Sequence, residues 1–66
     1  MDYINYFVMD LTEMIENGTI HINVKDKLMS IDERGMYILC NTYRMDTDEI
    51  LYFMQKITKY GVTLDG

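Results

Sequence analysis

The chain has few of the residues that usually stabilise or equip a small protein. Among 66 residues there are one cysteine, one histidine, no proline and no tryptophan. Cys40 alone excludes a disulfide within the chain, and Cys40 with His21 falls short of the four ligands of a typical structural zinc site. A chain of this length buries only about 60% of its unfolded surface. We therefore expect support from oligomerisation, unless the 48% of hydrophobic residues suffice for a core.

The same scarcity predicts a non-catalytic protein without a cofactor or a metal. A Cys–His nucleophile pair would need Cys40 to face His21. However, His21 lies on the polar side of a predicted strand, and Cys40 lies in the most apolar segment, residues 36–40. The four glycines are isolated, which excludes a Gly-rich phosphate-binding loop. The acids of residues 46–49 are typical of a helix N-terminus and fall short of a calcium-binding loop.

Long apolar segments and secretory signals are also missing. The longest uninterrupted apolar run covers residues 36–40, far below the roughly 20 residues that span a membrane. The N-terminal segment is acidic, whereas a signal peptide begins with basic residues. Together with the single free cysteine, these features predict a cytoplasmic protein that does not enter a membrane.

Negative charge dominates the chain, and it is unevenly distributed. Six basic and eleven acidic residues give a formal net charge of −5. Residues 1–33 carry two bases and seven acids (2 − 7 = −5), whereas residues 34–66 carry four of each (4 − 4 = 0). A negative field repels nucleic acids and anionic membranes at long range. It favours a partner protein with a basic surface.

Two elements of secondary structure are predicted in the acidic half. Residues 2–17 have apolar side chains at helical spacing and predict an amphipathic helix. The apolar positions are 4, 7, 8, 11, 14 and 15. Asn17-Gly18 is a typical helix end. Residues 19–25 alternate between apolar and polar side chains, which predicts a strand with one buried face.

Residues 30–44 have two interpretations. Ser30 and Glu33 form the pattern of a capping box, which predicts that a helix begins there. Alternatively, residues 32–35 suit a type I turn, and residues 36–43 are rich in strand formers. Gly35 inside a helix costs about 0.5–1 kcal/mol relative to alanine. We favour the helix and keep the hairpin as the alternative.

Residues 46–60 predict a further amphipathic helix. Asp46 suits the N-cap position, and Glu49 suits the third helical position of a capping box. Gly61 suits the C-cap, because glycine readily adopts the left-handed conformation found there. Residues 62–64 could then form a short strand beside the predicted strand of the acidic half.

The elements together predict an α+β fold in a single domain, residues 1–66. Its order is an N-terminal helix, a short strand and two further helices, with a minimal two-stranded sheet. The alternative is a β-hairpin plus one helix in place of the two later helices. So small a sheet leaves an open edge, and burying this edge against a second copy would give a homodimer.

The outer side of the first helix combines acids with exposed apolar side chains. On a helical wheel, Tyr6 and Met9 point away from the apolar stripe. The acids of the same helix are Asp2, Asp10, Glu13 and Glu16. Tyrosine is favoured at binding hot spots and methionine adapts to a partner's shape, although single apolar residues on a surface are also ordinary.

This face predicts a small acidic protein-binding module that acts on a basic partner surface. Its role would be that of an inhibitor, an adaptor or an antirepressor. By association alone, such compact non-catalytic chains fit a phage or mobile-element origin. The acids could imitate phosphates if the partner surface otherwise binds nucleic acid.

The two later helices support an alternative, a dimeric helix-turn-helix-like DNA-binding regulator. Helix 46–60 would be its recognition helix. The candidate nucleic-acid contacts are Tyr52, Gln55, Lys56 and Lys59. However, the helix opens with acids, and two lysines on a protein of charge −5 give a weak electrostatic footprint. Nucleic acid is therefore the less favoured partner.

Overall fold

A computed structural model describes residues 3–65 of the chain and confirms the α+β class. Its elements are α1 (Tyr3–Glu16), β1 (Ile20–Asn23), β2 (Leu28–Asp32), α2 (Glu33–Tyr43), α3 (Thr47–Thr58) and β3 (Gly61–Asp65). Each helix in this described range is too short or too polar to span a bilayer.

The sheet has three strands, with β2 in the centre and β1 and β3 at the edges. β1 pairs antiparallel with β2, so that Ile20 lies opposite Ile31. β3 pairs parallel with β2, so that Met29 lies opposite Val62. The prediction of a two-stranded sheet was therefore wrong, as was the pairing of residues 62–64 with the first strand. Both errors follow from missing β2, which separates the two edge strands.

Residues 30–44 contain the end of a strand followed at once by a helix. The favoured helix is confirmed, but it begins at Glu33, and Ser30 lies within β2. The N-cap is Asp32, whose side chain accepts a hydrogen bond of 2.7 Å from the Gly35 N–H. The hairpin alternative is wrong, because residues 36–43 are helical. Glu33 is therefore the first helical residue and does not complete a capping box.

The third helix begins as predicted and ends differently. Asp46 and Glu49 form a reciprocal capping box, with hydrogen bonds of 2.8 and 3.0 Å. The left-handed residue at the end is Lys59, with φ of 66°, whereas Gly61 is the first residue of β3. At the end of α1, Gly18 does adopt the left-handed conformation, with φ of 87°.

The core lies between the three helices and one face of the sheet. Its buried residues are Phe7, Leu11, Met14, Ile20, Met29, Ile31, Met36, Leu39, Ile50, Met54 and Val62. The predicted apolar stripe of α1 is narrower than expected, because Ile4, Val8 and Ile15 are exposed. α1 packs mainly along β1 at the edge of the sheet. The core therefore buries only a narrow stripe of α1, formed by Phe7, Leu11 and Met14.

One aromatic cluster joins the three helices. The Phe7 ring contacts Tyr43 of α2 and Phe53 of α3, with ring centroids 5.1 and 4.9 Å apart and edge-to-face geometry. Such pairs add about 0.5–1.5 kcal/mol beyond the area they bury. Phe7 therefore fixes α1 against the other two helices and sets the orientation of its outer side.

Candidate functional site

The two apolar side chains predicted on the outer side of the first helix are exposed in the structure. Tyr6 is 51% exposed and Met9 is 61% exposed. They lie one helical turn apart on the side of α1 that faces away from the buried Phe7 and Leu11. We call Tyr6, Met9, Asp10, Glu13 and Glu16 the outer face of α1. Asp2 was the sixth predicted member and lies outside the described residues.

The acids of the outer face differ in their surroundings. Glu13 and Glu16 are exposed, and within residues 3–65 no ion pair neutralises either carboxylate. Asp10 is half-buried and accepts a hydrogen bond from the Tyr43 hydroxyl group of α2, at 2.5 Å. Asp10 therefore links two helices, and the exposed charge of the face comes from Glu13 and Glu16.

A shallow groove runs beside the outer face, between α1 and the end of α2. It has a volume of about 280 Å³ and is lined by Tyr3, Tyr6, Met9, Asp10, Glu13, Thr42 and Tyr43. A second groove of about 460 Å³ shares Tyr3, Thr42 and Tyr43 with the first and continues to Arg44, Met45 and Phe53. The outer face thus borders two adjoining grooves with aromatic residues in their lining, which we call together the depression.

Sequence reasoning missed the contribution of α2 to this depression. Tyr43 is 33 residues from Asp10 in the chain, so no local pattern predicts that they meet. The sequence did contain one indication that Tyr43 has a polar partner. A tyrosine on the apolar stripe of a helix becomes buried, and its hydroxyl group then usually forms a hydrogen bond. Tyr43 lies on such a stripe, among buried Met36 and Leu39.

The contact between Tyr43 and Asp10 changes the acidity of the phenol. Burial raises the pKa of Tyr43 well above its ordinary value, and the hydrogen bond to Asp10 and the nearby negative charge raise it further. Each effect disfavours the phenolate, because a charged oxygen would lose solvation and would face a carboxylate. The hydroxyl group therefore stays protonated and keeps donating to Asp10 across the neutral pH range.

We expect this raised pKa to appear as a tyrosine that resists alkaline titration in the folded state. The unfolded phenol has a pKa of about 10. The folded-state pKa is higher, so the stabilisation is complete below about pH 10 and is lost as the pH rises above that value. Tyrosinate absorbance checks this: Tyr43→Phe should leave the native amplitude unchanged and lower the amplitude in denaturant. A reduced native amplitude would contradict the assignment.

The alternative nucleic-acid contacts lie on α3 and at its end. Tyr52, Gln55, Lys56 and Lys59 are all exposed. The Lys56 ammonium group lies 5.7 Å from the Tyr52 ring centroid, a weak cation–π contact. The Lys59 backbone N–H caps the helix through the Gln55 carbonyl group. The structure thus places these residues near one another. However, the first turn of α3 is acidic, so the basic part of its surface consists of two lysines near its end.

The remaining reactive side chains are kept apart. His21 is exposed on the sheet face opposite the helices, because it alternates with the buried Ile20. Cys40 is half-buried on α2 and packs against the core on the other side of the sheet. In the part of the chain that the structure describes, no three His, Cys, Asp or Glu side chains are grouped closely enough to hold a metal ion.

Comparisons with known proteins add no further assignment. The chain matches no protein-family model, no curated protein and no solved structure. We therefore infer its function from the geometry and charge of its own surface.

Proposed function

We propose that the protein is a non-catalytic binding module that acts in the cytoplasm through the outer face of α1 on a basic surface of another protein. Its effect would be that of an inhibitor, an adaptor or an antirepressor. The observation that carries this proposal is the exposure of Tyr6 and Met9 beside the unneutralised carboxylates of Glu13 and Glu16.

The two kinds of side chain have different roles in this proposal. Tyr6 and Met9 supply apolar area that can be fully desolvated at the centre of an interface, where most binding energy is concentrated. Glu13 and Glu16 lie nearby on the same helix and would meet lysine or arginine side chains at the rim. Rim charges mainly accelerate association and select the partner, and salt weakens their effect.

The depression beside the outer face supports a particular shape for the proposed partner surface. Its lining is mostly apolar and aromatic, and it is open to solvent. An apolar side chain that projects from a basic surface could enter between Tyr6 and Tyr43, while its basic neighbours face Glu13. The partner surface is therefore expected to combine an apolar projection with flanking lysines or arginines.

We expect the double substitution Tyr6→Ala/Met9→Ala to abolish capture of the partner. Capture from host lysate, followed by mass spectrometry, compares the wild-type chain with this variant. Two side chains at the centre of an interface together contribute at least about 2 kcal/mol of binding free energy. Their loss therefore lowers the affinity by about thirtyfold or more. A matched control is Tyr37→Ala/Ile38→Ala, which removes an exposed tyrosine and an exposed aliphatic side chain from α2.

The control and the wild-type chain should recover the same partner in similar amounts. Thermal unfolding of each protein verifies that the variants are folded. Equal recovery by a folded Tyr6→Ala/Met9→Ala variant would contradict the proposal. Recovery of nucleic acid that is lost on Lys56→Glu would instead support the DNA-binding alternative on α3, for which the Tyr52–Lys56 pair is the favourable observation.

A further inference from the structure

The strand β3 forms one edge of the sheet and directs half of its backbone groups away from the molecule. The Gly61 N–H donates a hydrogen bond of 2.9 Å to the Lys27 carbonyl group, which immediately precedes β2. Backbone groups alternate in direction along a strand, so those of residues 61, 63 and 65 face β2. The N–H and C=O groups of Val62 and Leu64 therefore face the open edge.

We propose that β3 pairs antiparallel with β3 of a second copy of this chain, about a twofold axis at Thr63. Val62 then lies opposite Leu64 of the second copy, and Leu64 lies opposite Val62. Both pairs present their outward backbone groups to each other, which gives four hydrogen bonds between the copies. The central pair is Thr63 with Thr63, a non-hydrogen-bonded pair with Cα atoms about 4.5 Å apart.

The side chains of β3 suit this register. Leu64 is 41% exposed on the helix-covered side of the sheet and would pack against Val62 of the second copy. Threonine pairs directly opposite one another stabilise an antiparallel ladder. Asp65 lies opposite Gly61, so no like charges meet. Lys59 precedes β3 by two residues and comes within reach of Asp65 of the second copy.

The charge distribution distinguishes β3 from the other open edge, β1. α1 packs against β1, and its described charges are Asp10, Glu13 and Glu16, with no base. A twofold axis at β1 would bring two such helices side by side, and like charges would oppose the contact. α3 packs against β3. It carries Lys56 as well as Asp48 and Glu49, and Lys59 follows directly as its C-cap. The same symmetry at β3 therefore brings together helices of mixed charge, which repel each other less than two copies of α1 would.

The β3 pairing leaves the outer face of α1 accessible, because α1 lies over the opposite edge of the sheet. The dimer would therefore present two copies of the outer face, one at each end. Self-association at β3 does not depend on the proposed binding function of that face, so the two can be tested separately.

The dimer can be tested by measuring the molecular mass with light scattering after size exclusion. The test compares the wild-type chain with a variant in which a substitution places like charges at the twofold axis. The wild-type chain should have twice the monomer mass at micromolar concentration. Thr63→Lys puts two ammonium groups directly opposite each other, and we expect it to weaken the dimer about tenfold. The control is His21→Lys, because His21, Ser30 and Thr63 form one row across the exposed sheet face. Mixing Thr63→Lys protein with Thr63→Glu protein should restore the dimer mass.

Cross-linking tests the register without relying on a charged variant. In a Cys40→Ser background, Thr63→Cys should form a disulfide-linked dimer on oxidation, because a Cα separation of about 4.5 Å lies within disulfide range. His21→Cys in the same background should remain monomeric on a denaturing gel. A monomeric wild-type chain would overturn the proposal, as would cross-linking at position 21 in place of position 63.

Discussion

Replacing Phe7 with alanine is expected to remove a large part of the free energy of folding. The Phe7 side chain is completely buried and contacts an aromatic ring on each of the other two helices. Removing a buried phenylalanine costs about 3–5 kcal/mol. Native domains have about 0.05–0.15 kcal/mol of stability per residue, or about 3–10 kcal/mol for a chain of this length. The substitution therefore removes between a third and all of the folding free energy.

Urea unfolding followed by circular dichroism measures this loss. Phe7→Leu keeps much of the buried volume, so we expect it to retain a cooperative transition at a lower midpoint. Tyr3→Ala removes an exposed aromatic side chain from the same helix and should have a small effect. An unchanged midpoint for Phe7→Ala would show that α1 is not held by the aromatic cluster.

Replacing Gly35 with alanine is expected to destabilise the protein, although Gly35 lies in a helix. On helix propensity alone, this change would gain about 1 kcal/mol. In the structure, an added Cβ would lie 2.3 Å from the Thr19 Cγ2 atom and 3.1 Å from the Ile31 Cγ1 atom. The Thr19 hydroxyl group is held by a 2.6 Å hydrogen bond to Asn17, so the methyl group cannot rotate away without losing that bond. We expect a net loss of about 1–3 kcal/mol from the overpacking.

A double-mutant cycle isolates this contact. Thr19→Ser removes the clashing Cγ2 atom and keeps the hydroxyl group that binds Asn17. In the Thr19→Ser background, Gly35→Ala should cost much less than in the wild-type chain, because only the milder contacts with Ile31 at 3.1 Å and with the Asp32 Oδ1 atom at 3.3 Å remain. Urea midpoints for the four proteins give the coupling energy. If Gly35→Ala stabilised the wild-type chain, the close approach of α2 to Thr19 would be wrong.

The features predicted correctly from the sequence are those that local patterns encode. The helical periodicity of α1 and the capping box of α3 each lie within a few residues, and the structure confirms both. Gly18 at the end of α1 is also confirmed, because a positive φ angle has a strong preference for glycine. The fold class followed from these elements and from the alternation within β1.

The features that were missed depend on contacts between distant residues. Two patterns overlap between Ser30 and Gly35, a capping box and a type I turn, and neither identifies Asp32 as the cap of a helix. In the structure Ile31 is buried in the sheet, and the Asp32 side chain accepts a hydrogen bond from the Gly35 N–H. The parallel pairing of β3 with β2 joins Met29 to Val62, and no local signal specifies it. A central strand of only five residues, two of them polar, has too little pattern to be recognised.

In the candidate site, too, the local features could be predicted from the sequence and the contact between distant residues could not. The exposure of Tyr6 and Met9 follows from a helical wheel, because it depends only on the direction of the core. The link between Asp10 and Tyr43 joins two helices and could not be predicted from either segment alone. The link reduces the exposed acids of the outer face and adds an aromatic wall, which sharpens the expected shape of the partner.

The most direct test of the proposed function is to map the contact surface by nuclear magnetic resonance. Isotope-labelled protein is titrated with the partner captured by the wild-type chain, and the shift of each assigned backbone amide is measured. The proposal predicts the largest shifts within residues 5–16 of α1 and at residues 42–43, which border the same depression. Largest shifts at residues 52–59 of α3, with α1 unchanged, would contradict it.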